Sequence, residues 1–298
     1  MNILVTGGTG LIGQALISRL ASHSISVLTR NVKTAKKALG ENISFFTKLE
    51  DIDFNTIDVV VNLAGEPIAD KRWTKGQKHR IAASRLRITR TLVEKINEAT
   101  SGPQVFISGS AIGYYGRQPD NITIEESHPT PFNEFSHTLC SDWENTAFEV
   151  KQSVRTCIVR TGIVLHPCKG ALRKLLPSFK FGLGSVIGSG TQGMSWIHIN
   201  DMANAIIHLI QHKECDGIFN LTAPSPVSNR VFSNTLAQQL HRPCLFTMPA
   251  FVMRLLFGEM ADLLLFGQYV TPKRLIQSGY KFEFSELDGA LKDLLNNT

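Results

Sequence analysis

The sequence predicts a doubly wound α/β fold, a parallel sheet with helices on both faces, followed by a smaller C-terminal region. Three observations lead there. Short β-branched or aliphatic runs alternate with helical periodicities through the first half of the chain, a glycine-rich turn joins the first run to the first helix, and the alternation stops after about residue 165. Strands separated by helices require βαβ crossovers, which produce parallel pairing with both sheet faces covered.

The strand-like runs in that half are residues 3–5, 25–28, 43–46, 59–63, 105–107 and 156–159. The first helix is read from Leu11, Ile12, Ala15, Leu16 and Leu20, which recur at three and four residues and give it one buried face. It stops near Ser22-His23-Ser24. From Pro167 to Gly193, Gly and Pro become frequent and regular alternation ends. Beyond lie a helix-like stretch at 201–212, a strand-like run at 218–221, a helix at 229–240 and an amphipathic stretch at 250–267. The expected division is a nucleotide-binding domain over 1–165, to which elements at about 194–222 return, and a substrate-side region over 166–298.

Composition narrows the class. With 298 residues, 43% of them apolar, and 23 glycines, the chain can bury a sizeable core, which excludes disorder as the main state. Charged residues make up only 19%, which argues against long coiled coils and charged tails. The net charge of +6 favours anionic partners without naming one. Cys140, Cys157, Cys168, Cys215 and Cys244 are odd in number, scattered and without a C-x-x-C pair, so a reducing cytoplasm is expected and neither a disulfide framework nor a metal site. The first residues run into a glycine turn without a basic leader, and the 250–267 stretch is interrupted by Arg254, Glu259 and Asp262, so neither a secretory signal nor a membrane partner is expected.

The chemistry begins at Thr6-Gly7-Gly8-Thr9-Gly10-Leu11-Ile12-Gly13. Between a strand and a helix, this spacing provides a tight turn at Gly7, close backbone approach to a pyrophosphate at Gly10 and close helix–strand packing at Gly13. The N–H groups at the start of the helix, from Thr9 through Leu11 and Ile12, then face the phosphates at the positive end of the dipole. About twenty residues on, an NAD-selective site carries an acid for the ribose hydroxyl. Here the residues are Thr29-Arg30-Asn31, and a guanidinium at Arg30, assisted by Thr29 and Lys33, binds a 2′-phosphate, which points to NADP rather than NAD.

Taken with Asn62-Leu63-Ala64-Gly65, Ser108-Gly109-Ser110, Tyr114-Tyr115-Gly116 and Trp196-Ile197-His198-Ile199-Asn200-Asp201, the glycine turn resembles the extended short-chain dehydrogenases/reductases, whose members include NAD(P)-dependent sugar-nucleotide epimerases and dehydratases. The run from Asn62 to Trp73 and the tail Gly258-Glu259 … Gly267-Gln268 … Pro272-Lys273-Arg274-Leu275 are similar to the atypical, epimerase-like branch. The resemblance spans nearly the whole chain and implies a Rossmann-type domain. It also implies cofactor contacts from Leu63, Ala64 and Gly65, an Arg160-Thr161-Gly162 segment passing under the nicotinamide, and a homodimer formed through helices at about 74–99 and 135–151.

In such enzymes a Ser/Thr orients a substrate hydroxyl and a Tyr-x-x-x-Lys pair exchanges the proton. Ser110 matches the serine. The pair does not match, because Ser136 stands in the Tyr position and Cys140 in the Lys position, and neither can do that chemistry. Other residues near the crevice that can move a proton are Tyr114, Tyr115, Glu66, Lys71 and His137; Ser110 with Tyr114 or Tyr115 is taken as the catalytic set. Glu66, Arg85, Trp196 and His198 are candidate substrate contacts, Arg85 through its planar fork and the last two through their place in the resemblance. Asp201 fits a helix cap, and His208 and His212 read as a solvent-facing helix edge rather than metal ligands. Nucleic acid is not expected. Two functions remain open: an NADP-dependent oxidoreductase or epimerase acting on a small hydroxyl or keto substrate such as a nucleotide sugar, and a non-catalytic NADP-binding sensor or assembly factor.

Overall fold

The computed structural model describes residues 1–120, 122–129 and 131–296. Its main sheet contains β1 (Asn2–Thr6), β2 (Ser24–Leu28), β3 (Ser44–Phe46), β4 (Val59–Asn62), β5 (Val105–Ala111), β6 (Arg155–Thr161) and β7 (Gly217–Leu221). All pair in parallel, in the order β7-β6-β5-β4-β1-β2-β3. The order reverses between β1 and β4, and that switch point opens a crevice beyond the carboxyl ends of the strands.

Period-two alternation divides the sheet between two cores. Ile3 and Val5 of β1, Val59 and Val61 of β4 and Val159 of β6 face α1 (Leu11–Ile17) and α6 (Ile199–Gln211), through Leu16, Met202, Ile206 and Leu209. Leu4, Val60, Phe106 and Ile158 point the other way, to Leu92, Val93 and Ile96 of α3 (Lys75–Glu98) and Ala147 of α4 (Phe135–Phe148). On the first side, α2 (Val32–Leu39) links β2 to β3 and is capped by Asn31, whose side chain accepts from Thr34 N.

A third core supports the later chain. It joins Leu172, Leu176 and Phe179 of α5 (Gly170–Lys180), Phe232 and Leu236 of α7 (Asn229–Gln239), and Leu291 and Leu294 of the last helix (Leu287–Asn296) around Trp196. The 250–267 stretch is not one helix. It contains α8 (Ala250–Phe257), a 3-10 turn at Gly258–Ala261 and a short helix at Asp262–Leu265, because Gly258 takes φ +61°, a conformation that ends the helix.

Asp201 also departs from expectation. The N-cap of α6 is His198, whose Nδ1 accepts from Asn200 N at 3.1 Å. Asp201 is wholly buried in the first turn and its carboxylate accepts from Glu283 N, Phe284 N and the Tyr280 hydroxyl, each at 2.9 Å. It therefore anchors the C-terminal segment against α6.

Candidate cofactor and active site

The glycine turn lies where β1 enters the crevice. Gly7 has φ +71°, and a Cβ there would fall 2.5 Å from the Leu63 carbonyl oxygen; a Cβ on Gly13 would fall 2.5 Å from Gly7 O and 2.6 Å from Gly8 Cα. Both positions exclude any side chain because backbone already fills the space. Gly10 differs: its Cβ would meet only Gly7 O, at 3.1 Å, so its outer side is open to an incoming group. Gly10 is also the N-cap of α1, no side chain caps the helix, and its first turn has no acid. The amides of Leu11, Ile12 and Gly13 therefore lack the side-chain acceptor that usually serves such groups, and the turn fits a dinucleotide pyrophosphate.

At the end of β2, Arg30 is exposed and faces no carboxylate among the described residues, and Lys33 is likewise exposed. Thr29 is tied into the turn, accepting from Asn31 N at 3.3 Å. Lys169, not anticipated from the sequence, reaches α1 beside the glycine turn. It precedes α5, and its ammonium donates to Gln14 Oε1 on α1. Only tertiary contact brings it there.

At the end of β4, a buried chain of side chains fixes the floor of the crevice. Thr6 Oγ1 donates to Asn62 Oδ1 at 2.7 Å, Asn62 Nδ2 donates to Thr89 Oγ1 at 2.8 Å, and Trp143 Nε1 donates to the same oxygen at 2.9 Å. Leu63, Ala64 and Gly65 follow directly, with Leu63 N donating to Thr6 O at 3.1 Å. Arg85 packs beneath them: a Cβ on Gly65 would sit 2.9 Å from its Cζ. Its Nη1 donates to Glu66 O at 3.0 Å and Ile81 O at 3.1 Å, and its Cζ lies 5.3 Å from the Trp143 ring centroid. Burial lowers its pKa. Arg85 thus braces the loop after β4, and Glu66, whose N–H donates to Ser84 Oγ at 2.9 Å, is held by the same helix.

Across the switch point the polar groups are enclosed. Arg160 of β6 is 1% exposed and pairs with Glu144 of α4 through two donors, Nε to Oε1 at 2.9 Å and Nη2 to Oε2 at 2.7 Å. Burial alone would lower the guanidinium pKa, but the carboxylate more than compensates and raises it. Ser110 donates to Glu144 Oε1 at 2.6 Å, so its hydroxyl proton is committed and only its lone pairs remain to meet a substrate. Arg160 is accordingly an internal strut, which corrects its expected place as a cofactor contact.

The two tyrosines separate. Tyr115 is fully buried; its hydroxyl donates to Asn220 Oδ1 at 2.7 Å and accepts from Arg160 Nη1 at 3.1 Å. Burial pushes its pKa up to about 12. It is a core hydroxyl with both functions used, and the expectation of a catalytic role is corrected. Tyr114 is half-exposed, with its ring 3.4 Å from the Arg160 Cζ and edge-on to His137 at 5.2 Å. Its hydroxyl has no partner among the described residues. His137 Nδ1 donates to the Tyr114 carbonyl at 2.5 Å, leaving Nε2 as the acceptor of the neutral ring.

Ser136 donates to Glu134 at 2.8 Å, and Cys140 is wholly enclosed, its thiol pushed up to about 11 by burial. Two network residues, Glu144 and Asn220, were not among the expected site residues, although Glu144 is the position from which Ser136 and Cys140 are matched to the missing Tyr and Lys. Ser136, Cys140 and Glu144 recur every four residues and so share one face of α4, which was the available signal.

Trp196 and His198 do not line the crevice. Trp196 is fully buried and donates from Nε1 to Ser225 O at 3.2 Å. His198, 1% exposed, stacks on Phe284 with centroids 3.9 Å apart and lies 3.3 Å from Asp293. Both belong to the third core, whose packing claims these large rings. His208 and His212 stack at 3.8 Å on the outer edge of α6, and among the described residues no group of three or more metal-ligating side chains exists.

The model of the NAD dependent epimerase/dehydratase family matches residues 3–222, and that of a domain of unknown function, DUF1731, matches residues 248–294. Epimerase family protein YfhF of Bacillus subtilis is 35% identical, covering 99% of this chain and 98% of its own. Epimerase family protein SDR39U1 of Mus musculus is 36% identical, covering 99% and 100%. The crystal structure of human epimerase family protein SDR39U1 with NADPH superposes with a TM-score of 0.92 at 33% identity over 100% of both chains. UDP-glucuronic acid 4-epimerase from Bacillus cereus, solved with UDP-glucuronic acid and NAD, shares the fold at a TM-score of 0.76 and 17% identity, covering 100% and 99%. A Rossmann-type sheet, a family model matching residues 3–222 and relatives matching along nearly their whole length lead to one conclusion: the chain belongs to the NAD dependent epimerase/dehydratase family, among the SDR39U1-like epimerase family proteins.

Proposed function

We propose that the protein binds NADP across the switch point and acts as an oxidoreductase or epimerase on a small hydroxyl or keto substrate, a nucleotide sugar being one class that fits. The observation that carries this reading is the open glycine turn with an exposed, unpaired Arg30 at the next strand end. The turn amides from Thr9 to Gly13 would hold the pyrophosphate, Arg30 with Thr29 and Lys33 the 2′-phosphate, and Leu63, Ala64 and Gly65 the middle of the cofactor. NADPH bound to the human relative supports the choice of cofactor. A bound nicotinamide supplies hydride transfer.

The chain's own contribution is to orient the substrate and handle a proton. Ser110, its hydroxyl hydrogen donated to Glu144, accepts from a substrate hydroxyl, and Tyr114 presents a phenol without a partner among the described residues. The Arg160 guanidinium stacks against the Tyr114 ring, 3.4 Å from its centroid, and holds the phenol in place. A reducing compartment such as the cytoplasm suits the five cysteines, all unpaired thiols. The test is titration of NADPH and NADH against wild type and Arg30→Ala, then turnover with nucleotide sugars and carbonyl compounds. Preference for NADPH by at least about tenfold, lost in the variant, is expected; equal affinities overturn the cofactor assignment.

A non-catalytic NADP sensor or assembly factor is the second reading, favoured by Ser136 and Cys140 on α4. NADPH binding with no turnover of any nucleotide sugar or carbonyl compound decides for it; turnover lost in Ser110→Ala or Tyr114→Phe with cofactor binding intact decides against it.

A further inference from the structure

Away from the crevice, the C-terminal end of α5 and the segment after α7 expose large apolar side chains. Phe181, Leu245, Phe251 and Leu255 are 82%, 81%, 72% and 73% exposed, with Leu183 and Phe246 beside them also exposed. They belong to one surface. Residues Ser185–Ile187 pair in parallel with Phe246–Met248, placing Ser185 opposite Phe246, and Arg242 Nε donates to Lys180 O at 2.9 Å. Pro249 then caps α8, which buries Met253 and turns Phe251 and Leu255, one helical turn apart, outward. Contiguous apolar exposure of this kind marks an interaction surface.

The charge around it has one sign. Residues 173–187 and 241–257 contain Arg173, Lys174, Lys180, Arg242 and Arg254 and no Asp or Glu. Lys174 is paired with Asp70, and Arg254 lies 3.6 Å from Asp262. Arg173, Lys180 and Arg242 have no carboxylate partner among the described residues, and Arg173 and Lys180, two turns apart, share a face of α5. The flanking acids are engaged as well, Glu259 by Lys78 and Asp262 by Arg117.

We propose that this face docks on an anionic lipid surface, with the aromatic and leucine side chains entering the headgroup boundary and Arg173, Lys180 and Arg242 meeting lipid phosphates. Apolar anchors beside long cations suit an interfacial element. The anchors project from a helix end, a strand edge and a short helix instead of lining a groove, which suits a deformable bilayer better than a folded partner. No helix among the described residues is long and apolar enough to cross a membrane, so the protein would lie on the surface. The face adjoins the crevice, because the loop after β4 is tied to both its elements: Lys174 Nζ donates to Ala69 O at 2.9 Å and Arg72 Nη2 to Leu255 O at 3.0 Å. The proposal departs from the expectation of no membrane partner, which rested on the lack of a spanning segment and not on which way α8 faces.

The experiment is flotation of the full chain with vesicles of phosphatidylcholine alone or mixed with phosphatidylglycerol, at low and high salt, alongside light scattering for oligomeric state and circular dichroism for folding. Binding to the anionic vesicles only, reversed by salt, is expected, with a loss of about tenfold or more in Phe251→Glu/Leu255→Glu and again in Arg173→Glu/Lys180→Glu. All four positions are exposed, so both double variants should stay folded. Absence of vesicle binding overturns the proposal. So does equal binding to neutral vesicles, binding unchanged in the folded variants, or variants that dissociate a dimer of the wild type while no vesicles bind.

Discussion

At the β1–β2 end of the crevice, the amides at the start of α1, beside the open side of Gly10, and the Arg30 guanidinium have no side-chain partner among the described residues. Across the switch point, at β5 and β6, polar groups turn inward and use each other: Ser110, Glu144, Arg160, Tyr115 and Asn220 form one buried network from α4 to β7. The open end leaves its interactions to a ligand. The closed end uses most of them for folding; among the described residues the Ser110 lone pairs, the Tyr114 hydroxyl, His137 Nε2 and Ser108 Oγ are left to spare. Two regions of one crevice thus divide binding from rigidity, and substitutions at each should separate the two properties.

The largest effect is expected at the closed end. Glu144→Gln removes the counter-charge of a fully buried guanidinium, and breaking such a pair costs about 3–5 kcal/mol, measurable as a shift of the urea midpoint. If stability changes by less than about 1 kcal/mol, the network is not the strut described. At the open end, Gly13→Ala forces a Cβ against the Gly7 carbonyl and should cost about 1–3 kcal/mol, read as a lower thermal midpoint and weaker NADPH binding together.

The tyrosines set both properties side by side. Tyr115→Phe leaves Asn220 and Arg160 each short of a partner and should cost about 1–3 kcal/mol of stability. Tyr114→Phe should leave stability within about 0.5 kcal/mol but cut turnover about a hundredfold or more. The reverse pattern would exchange their roles.

The smallest effect lies in the third core and gives the background. Burial holds the pKa of His198 below its ordinary value, despite the facing carboxylates of Asp293 and Asp201. The unfolded chain then binds the extra proton first, so stability is full above the unfolded pKa of about 6.5 and is lost as pH falls through it. His198→Asn, which keeps an acceptor for Asn200 N, should flatten the fall in thermal midpoint between neutral pH and pH of about 5.5. An unchanged slope would assign the acid sensitivity elsewhere.

Much of this was legible in the sequence, and what was follows from local rules. The strands were visible as short apolar runs, and the glycine turn was visible because Gly7 and Gly13 admit no side chain, a constraint written into the residues themselves. Arg30 was proposed from its distance to that turn alone. What the sequence could not decide was which way the larger side chains face. Trp196, His198, Tyr115 and Arg160 look like site residues by position, yet each is drawn into a core by partners distant in the chain: Ser225 and α7, Asp293 and Phe284, Asn220 and Glu144. The direction of α8 belongs to the same class, since an amphipathic pattern states that one face is apolar and not whether anything covers it. Local backbone geometry is set by neighbouring residues and survives into the fold, whereas burial and hydrogen-bond partnership are pairwise properties that exist only once distant segments meet.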